Sequence, residues 1–288
     1  MVFRSGSGSG IGMGNRPRRA LGAASALGAA CLILSLTVPL AVTPCRAAAA
    51  AVAEASSKIK IAFAGDSIVD NYWSGIGRII DANQCLKNTV ELGRFAKNGT
   101  GLSRGDRVYW PREIRRIDDV FKPTLSVVSI GLNDRQFIVD GNGARTAWGA
   151  PDWTDKYRHE LDEFLKAAVA TKAVVLMVGM PAMREEIDNA DIAGKNAMFA
   201  AAVAALADPN LHYVEPWRLH AAGSEAFASY GPDKSGRLVQ IRTPDGQHFT
   251  VAGEDMAADY LFPKIVEALN AAGKNLDQCL TKQSRDER

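Results

Sequence analysis

Two separated stretches of this chain carry the residue types that acyl transfer requires. Asp245 and His248 lie three apart in "RTPDGQHFT" (242–250), and Ser67 lies in "AGDSIVD" (64–70). A serine hydroxyl becomes an effective nucleophile when an imidazole takes its proton, and a carboxylate can fix the tautomer of that imidazole. Each residue also has a plain structural alternative. Pro244-Asp245-Gly246 is good turn chemistry, Thr250 is placed to cap a following helix, and Ser67 is placed to cap the helix that follows it. Two further stretches weigh toward chemistry: "NGTGLS" (98–103) offers the backbone N–H of Gly99 or Gly101, and "GLND" (131–134) offers the Asn133 side-chain amide. With the Ser67 N–H, these donors form a set that can converge on a developing oxyanion.

Such a set works only if the chain brings its members to one place. "KIKIAFAG" (58–65), "NTVELGRFA" (88–96), "PTLSVVSIG" (123–131), "AVVLMVGM" (173–180) and "LHYVEP" (211–216) read as five strands. The third is a near-continuous apolar run, the type buried on both faces of a parallel sheet. Helical stretches separate the strands at 71–86, 108–120, 154–170 and around 196–207. A last helix lies around "AADYLFPKIVEALNAA" (257–272), where Pro263 is expected to kink or start a segment. Alternating strands and helices imply a parallel sheet covered on both faces, with chemistry at the carboxyl ends of its strands. Ser67, the glycine loop and Asn133 follow strands one, two and three, so all fall on that edge.

"GDSI", the glycine after the second strand, "GLND" and "DGQH" resemble, in order, the four sequence blocks of the SGNH (GDSL-type) hydrolases. Ile68 stands where leucine is usual, a conservative difference. "TGLSR", "GLNDRQ", "VGMPAMRE", "SYGPD" and "DGQHFT" are similar to a bacterial periplasmic branch catalogued as a domain of unknown function. The resemblance spans nearly all of the chain after residue 57. It implies a flavodoxin-like three-layer α/β/α fold with a five-stranded parallel sheet in the order 2-1-3-4-5, and neither metal nor organic cofactor. It assigns Ser67 as nucleophile, Asp245 and His248 as its partners, and Ser67, Gly101 and Asn133 as the oxyanion hole. Gly101 fits the block spacing better than Gly99. The implied activity is ester hydrolysis through an acyl-serine, on an O-acylated envelope carbohydrate or a lipase-like ester. An O-acyltransferase and a catalytically idle envelope-binding protein are the alternatives. The lipase elbow GxSxG is absent, and the nucleophile precedes its partners, unlike the mid-chain serine of α/β-hydrolases.

Residues 1–47 read as an export signal preceded by a low-complexity start. Arg16, Arg18 and Arg19 lead into an uncharged run from Ala20 to Cys45, and an alanine-rich region follows. Met13 would begin a signal of ordinary length. Retained, the same run would anchor the domain with its bulk outside the cytoplasm. Residues 48–57 form an alanine-rich linker, and residues 58–288 form one domain. Residues 1–47 hold five arginines and no acid, so removing them changes the formal charge from +2 to 29 − 32 = −3. No basic stripe with interleaved aromatics remains to suggest nucleic acid. Of the four cysteines, only Cys85 and Cys279 lie beyond the signal, and an oxidising compartment would pair them.

Four arginines fall beside the expected site. Arg104 follows the glycine loop, Arg135 follows "GLND", Arg184 follows the fourth strand and Arg242 precedes the Asp245–His248 turn. They either pair with nearby acids or face an anionic substrate. Trp148 and Trp153, in the segment after the third strand, are candidate walls for a sugar. His159, His212 and His220 match no block and are expected to be structural or solvated.

Overall fold

The computed structural model describes residues 58–140, 143–218 and 226–286. The export segment, the linker and His220 therefore lie outside the described residues. Five strands form one parallel sheet: β1 (Ile59–Gly65), β2 (Val90–Ala96), β3 (Leu125–Ser129), β6 (Val174–Val178) and β7 (Leu211–Val214), in the order β2-β1-β3-β6-β7. This is the expected 2-1-3-4-5 arrangement. Two short antiparallel hairpins, β4 (Ile138–Val139) with β5 (Arg145–Thr146) and β8 (Tyr230–Pro232) with β9 (Leu238–Gln240), sit in segments that the sequence marks only as polar or irregular.

The alternation of side chains along each strand divides the interior in two. Ile61 and Phe63 of β1, Leu125 and Val127 of β3, and Val174, Leu176 and Val178 of β6 enter one apolar cluster. There they meet α1 (Ser67–Ala82), the short α2 (Gln84–Thr89) and α6 (Val251–Ala271). Ala62, Ala64, Val128, Val175 and Met177 face the other way. That face is covered by α3 (Trp110–Phe121), α4 (Trp153–Val169) and α5 (Glu186–Leu206). Strands buried on both faces have little room for polar residues, which is why the sequence marks them so clearly.

Two helical expectations change. Helix α6 runs without interruption through Pro263, because Leu261, Phe262, Ile265 and Val266 on either side of it are all buried in one cluster. The helix after β1 ends at Ala82, where Asn83 accepts from the backbone N–H groups of Cys85 and Leu86 and starts α2. A short helix, α7 (Asp277–Asp286), closes the chain, and Cys279 within it is disulfide-bonded to Cys85.

Candidate active site

The site begins where β1 gives way to α1. Gly65 has φ +146° and lies so close to the Ser129 carbonyl that a Cβ would collide with it, so only glycine fits. Asp66 is the N-cap of α1, its Oδ1 accepting from the Ile68 N–H at 2.9 Å. Ser67 is thus the first helical residue rather than the cap, and its hydroxyl is left for other work. The second Asp66 oxygen accepts from the Gly131 and Leu132 N–H groups, both at 2.9 Å. One buried carboxylate therefore joins the ends of β1 and β3. Burial pushes its pKa up to about 7, against the downward pull of those backbone donors.

The segment before α6 brings a histidine to that serine. His248 Nε2 lies 2.7 Å from Ser67 Oγ, and His248 Nδ1 lies 2.7 Å from Asp245 Oδ2. With Nδ1–H directed at the carboxylate, Nε2 is the acceptor for the serine hydroxyl. Asp245 Oδ1 accepts from Thr243 Oγ1 and from the backbone N–H groups of Gln247 and His248. Partial burial works to raise the Asp245 pKa, but these donors and His248 outweigh it and hold the carboxyl well below its usual range. Thr243 N–H donates to the His248 carbonyl, and Thr250 caps α6 by accepting from the Gly253 N–H, so both ends of the turn are fixed.

The candidate oxyanion donors are held by a second buried carboxylate. Asp134 accepts from the Leu102 N–H, the Ser103 N–H and hydroxyl, and the Tyr157 hydroxyl. A Cβ on Gly101 would strike that carboxylate, so the glycine is what lets the second loop close on the third. Asn133 Nδ2 donates to the Thr100 carbonyl at 2.9 Å, which occupies one amide hydrogen and leaves the other. Neither the Ser67 nor the Gly101 backbone N–H makes a hydrogen bond within the described residues. Gly99, with φ +73° and open space around it, serves the turn.

Three of the four arginines are engaged by their own surroundings. Arg104 forms a two-pronged pair with Asp106, and Arg135 pairs with Asp188. Arg184 donates to the Pro244 carbonyl at 2.6 Å and more weakly to that of Thr243. Arg242 is only 4% exposed and donates to the Gln247 carbonyl at 2.6 Å, one residue before His248. Burial pulls its pKa down to about 10. Trp153 is no sugar wall: it is buried, stacked on Tyr157 at 5.0 Å, and donates to the Gln136 carbonyl. Trp148 remains exposed, with the Arg135 guanidinium over its ring. His159 and His212 are solvent-exposed. Asp66 and Asp134, which hold the strand-end loops together, were not singled out from the sequence although both stand inside the quoted blocks.

A family model described as "Protein of unknown function (DUF459)" matches residues 60–264. A comparison with curated proteins returned no match. Among solved structures, the chain is similar to a carbohydrate esterase family 3 protein from Talaromyces cellulolyticus. The two are 15% identical, with a TM-score of 0.51 over 74% of this chain and 99% of that one. It is also similar to an acetyl esterase mutant crystallised with acetate ion, at 14% identity and a TM-score of 0.52 over 74% and 99% of the two chains. At such identities the likeness is one of fold.

Proposed function

The chain belongs to the DUF459 family, and from the geometry of its triad we propose that it is an exported serine esterase acting on an O-acylated carbohydrate. The observation that carries this reading is the unbroken relay from Asp245 through His248 to Ser67, with both links at 2.7 Å. Ser67 Oγ attacks the acyl carbonyl as His248 Nε2 takes its proton, and Asp245 stabilises the imidazolium. The tetrahedral oxyanion is met by the Ser67 N–H, the Gly101 N–H and the Asn133 amide. Collapse breaks the ester C–O bond, and the His248 proton leaves with the alcohol. Water, deprotonated by His248, then attacks the acyl-serine and releases the acid.

Two observations support the finer parts of the reading. The arginine-led apolar run near the start of the chain fits export. The fold is shared with a carbohydrate esterase and an acetyl esterase, which favours a short acyl group on a sugar. The test is fluorophosphonate labelling of purified protein, with acetate release measured from acetylated polysaccharides and from short- and long-chain model esters. Labelling confined to Ser67 and turnover of acetyl esters are expected. Absence of both would overturn the proposal.

A further inference from the structure

A cavity of about 230 Å³ opens at the carboxyl ends of β6 and β7, against the N-terminal half of α5, and Arg242 forms part of its wall. The same arginine lies across an antiparallel bridge from Phe249 and bonds the carbonyl just before His248, so the cavity and the catalytic histidine share one segment. Its volume corresponds to about seven or eight liquid waters, room for one sugar ring rather than a long acyl chain.

The physical oddity of this cavity is its charge. Arg242 is almost wholly buried between the rings of Phe227 and Phe249, and its Nε has no hydrogen-bond partner. Among the described residues its hydrogen-bond partners are the carbonyls of Gln247 and Gly246 and the sulfur of Met183, with no carboxylate among them. Asp245 acts on this cation through space, but its oxygens are taken up by Thr243, Gln247 and His248, so no carboxylate is bonded to the guanidinium, and a guanidinium fork is the group best shaped to receive one. The wall holds one acid, Glu215, which pairs with Arg218 at 3.6 Å, and otherwise suits a sugar. Trp217 and Phe227 supply aromatic surface, and Asn189, whose Oδ1 is taken by the Met183 N–H, keeps its amide hydrogens unbonded within the described residues.

We propose that this cavity is a subsite for an acidic sugar, its carboxylate meeting Arg242 and its ring lying against Trp217 and Phe227. The inference rests on the esterase reading only in making that sugar part of the substrate; the binding itself is independent of catalysis. Arg104 and Arg135, paired with the carboxylates of Asp106 and Asp188, are then left out of charge recognition.

The experiment titrates the full exported chain with glucuronate, glucose and acetate by calorimetry. Glucuronate should bind in the millimolar range or tighter, with glucose and acetate at least tenfold weaker, and the preference should shrink in 1 M salt. Equal binding of glucose, or of acetate, would overturn the acidic-sugar assignment. Arg242→Lys should weaken glucuronate about tenfold. Because Arg242 also braces the histidine turn, a second variant is needed. Ala193→Phe, on the solvent-facing wall of the cavity, should keep the far-UV spectrum and lose glucuronate binding. Unchanged binding in that variant would refute the site. Fluorophosphonate labelling of the same samples separates the two proposals. Labelling without glucuronate binding sinks the subsite alone, and glucuronate binding without labelling sinks the esterase alone.

Discussion

At the scale of single residues, the proposed chemistry divides into groups that would react and groups that hold them. Ser67→Ala should lower turnover by at least a thousandfold while leaving the denaturation midpoint close to that of the wild type. The cap of α1 is Asp66, so helix stability does not depend on the lost hydroxyl. Retention of a tenth of the activity would remove Ser67 from the mechanism. Asp134→Asn tests the holding role. The amide would turn a donor toward N–H groups that now meet a carboxylate, costing about 1–3 kcal/mol in stability. It should also lower kcat more than KM by displacing Gly101 and Asn133, and an effect on KM alone would place Asp134 outside oxyanion alignment. That Ser67, Asn133, Asp245 and His248 meet was legible because four sequence blocks occur in the order of a known resemblance, the first three just after β1, β2 and β3. Asp66 and Asp134 were not, because their partners are mostly backbone N–H groups about 30 to 65 residues away, which leave no mark on side-chain identity.

At the scale of elements, β1, β3 and β6 were legible because burial on both faces demands nearly continuous apolar runs, and the half-exposed β2 because its residues alternate. The hairpins β4–β5 and β8–β9 were not, since strands of two or three residues carry no periodicity. The joint between β1 and β3 gives a pH prediction. Asp66 is fully buried, and its folded pKa of about 7 lies above the ordinary 3.8, so the folded state holds the extra proton between those values. Its contribution is complete below about pH 4 and is lost as pH rises through 7. Across that window the loss reaches about 4 kcal/mol, at 1.4 kcal/mol per pH unit. Urea denaturation at pH 4, 5.5 and 7 should therefore show wild type losing stability relative to Asp66→Asn as pH rises. Parallel pH curves for the two proteins would exclude a neutral Asp66. Asp245, held low, acts with the opposite sign and is common to both proteins, so it cancels in the comparison.

At the scale of the whole molecule, the fold separates where it is held from where the proposed reaction takes place. Ser67 begins α1 at the carboxyl edge of the sheet, and that helix carries the chain over sixteen residues, about 24 Å, to the opposite edge. There Asn83 caps α2 and donates to the Cys279 carbonyl, and Cys85 and Cys279 close a disulfide across 194 residues of sequence. The bond ties the tail to the α1–α2 layer at the end remote from the triad, and Cys279 is buried with Leu276 in the apolar cluster beneath α6. Chain entropy gives a loop of this length an upper bound of about 5 kcal/mol. Cys85→Ala/Cys279→Ala should accordingly lower the free energy of unfolding by several kcal/mol. Under native conditions kcat/KM should stay within twofold, because among the described residues no hydrogen bond of the triad or its proposed oxyanion donors involves α2 or α7. Denaturant titration with and without dithiothreitol reads the first quantity, and short-ester kinetics on the folded variant read the second. Unfolding unaffected by reduction would mean that apolar packing around Leu276 holds the tail by itself. A fall in kcat/KM without unfolding would mean that the two edges of the sheet are coupled through α1.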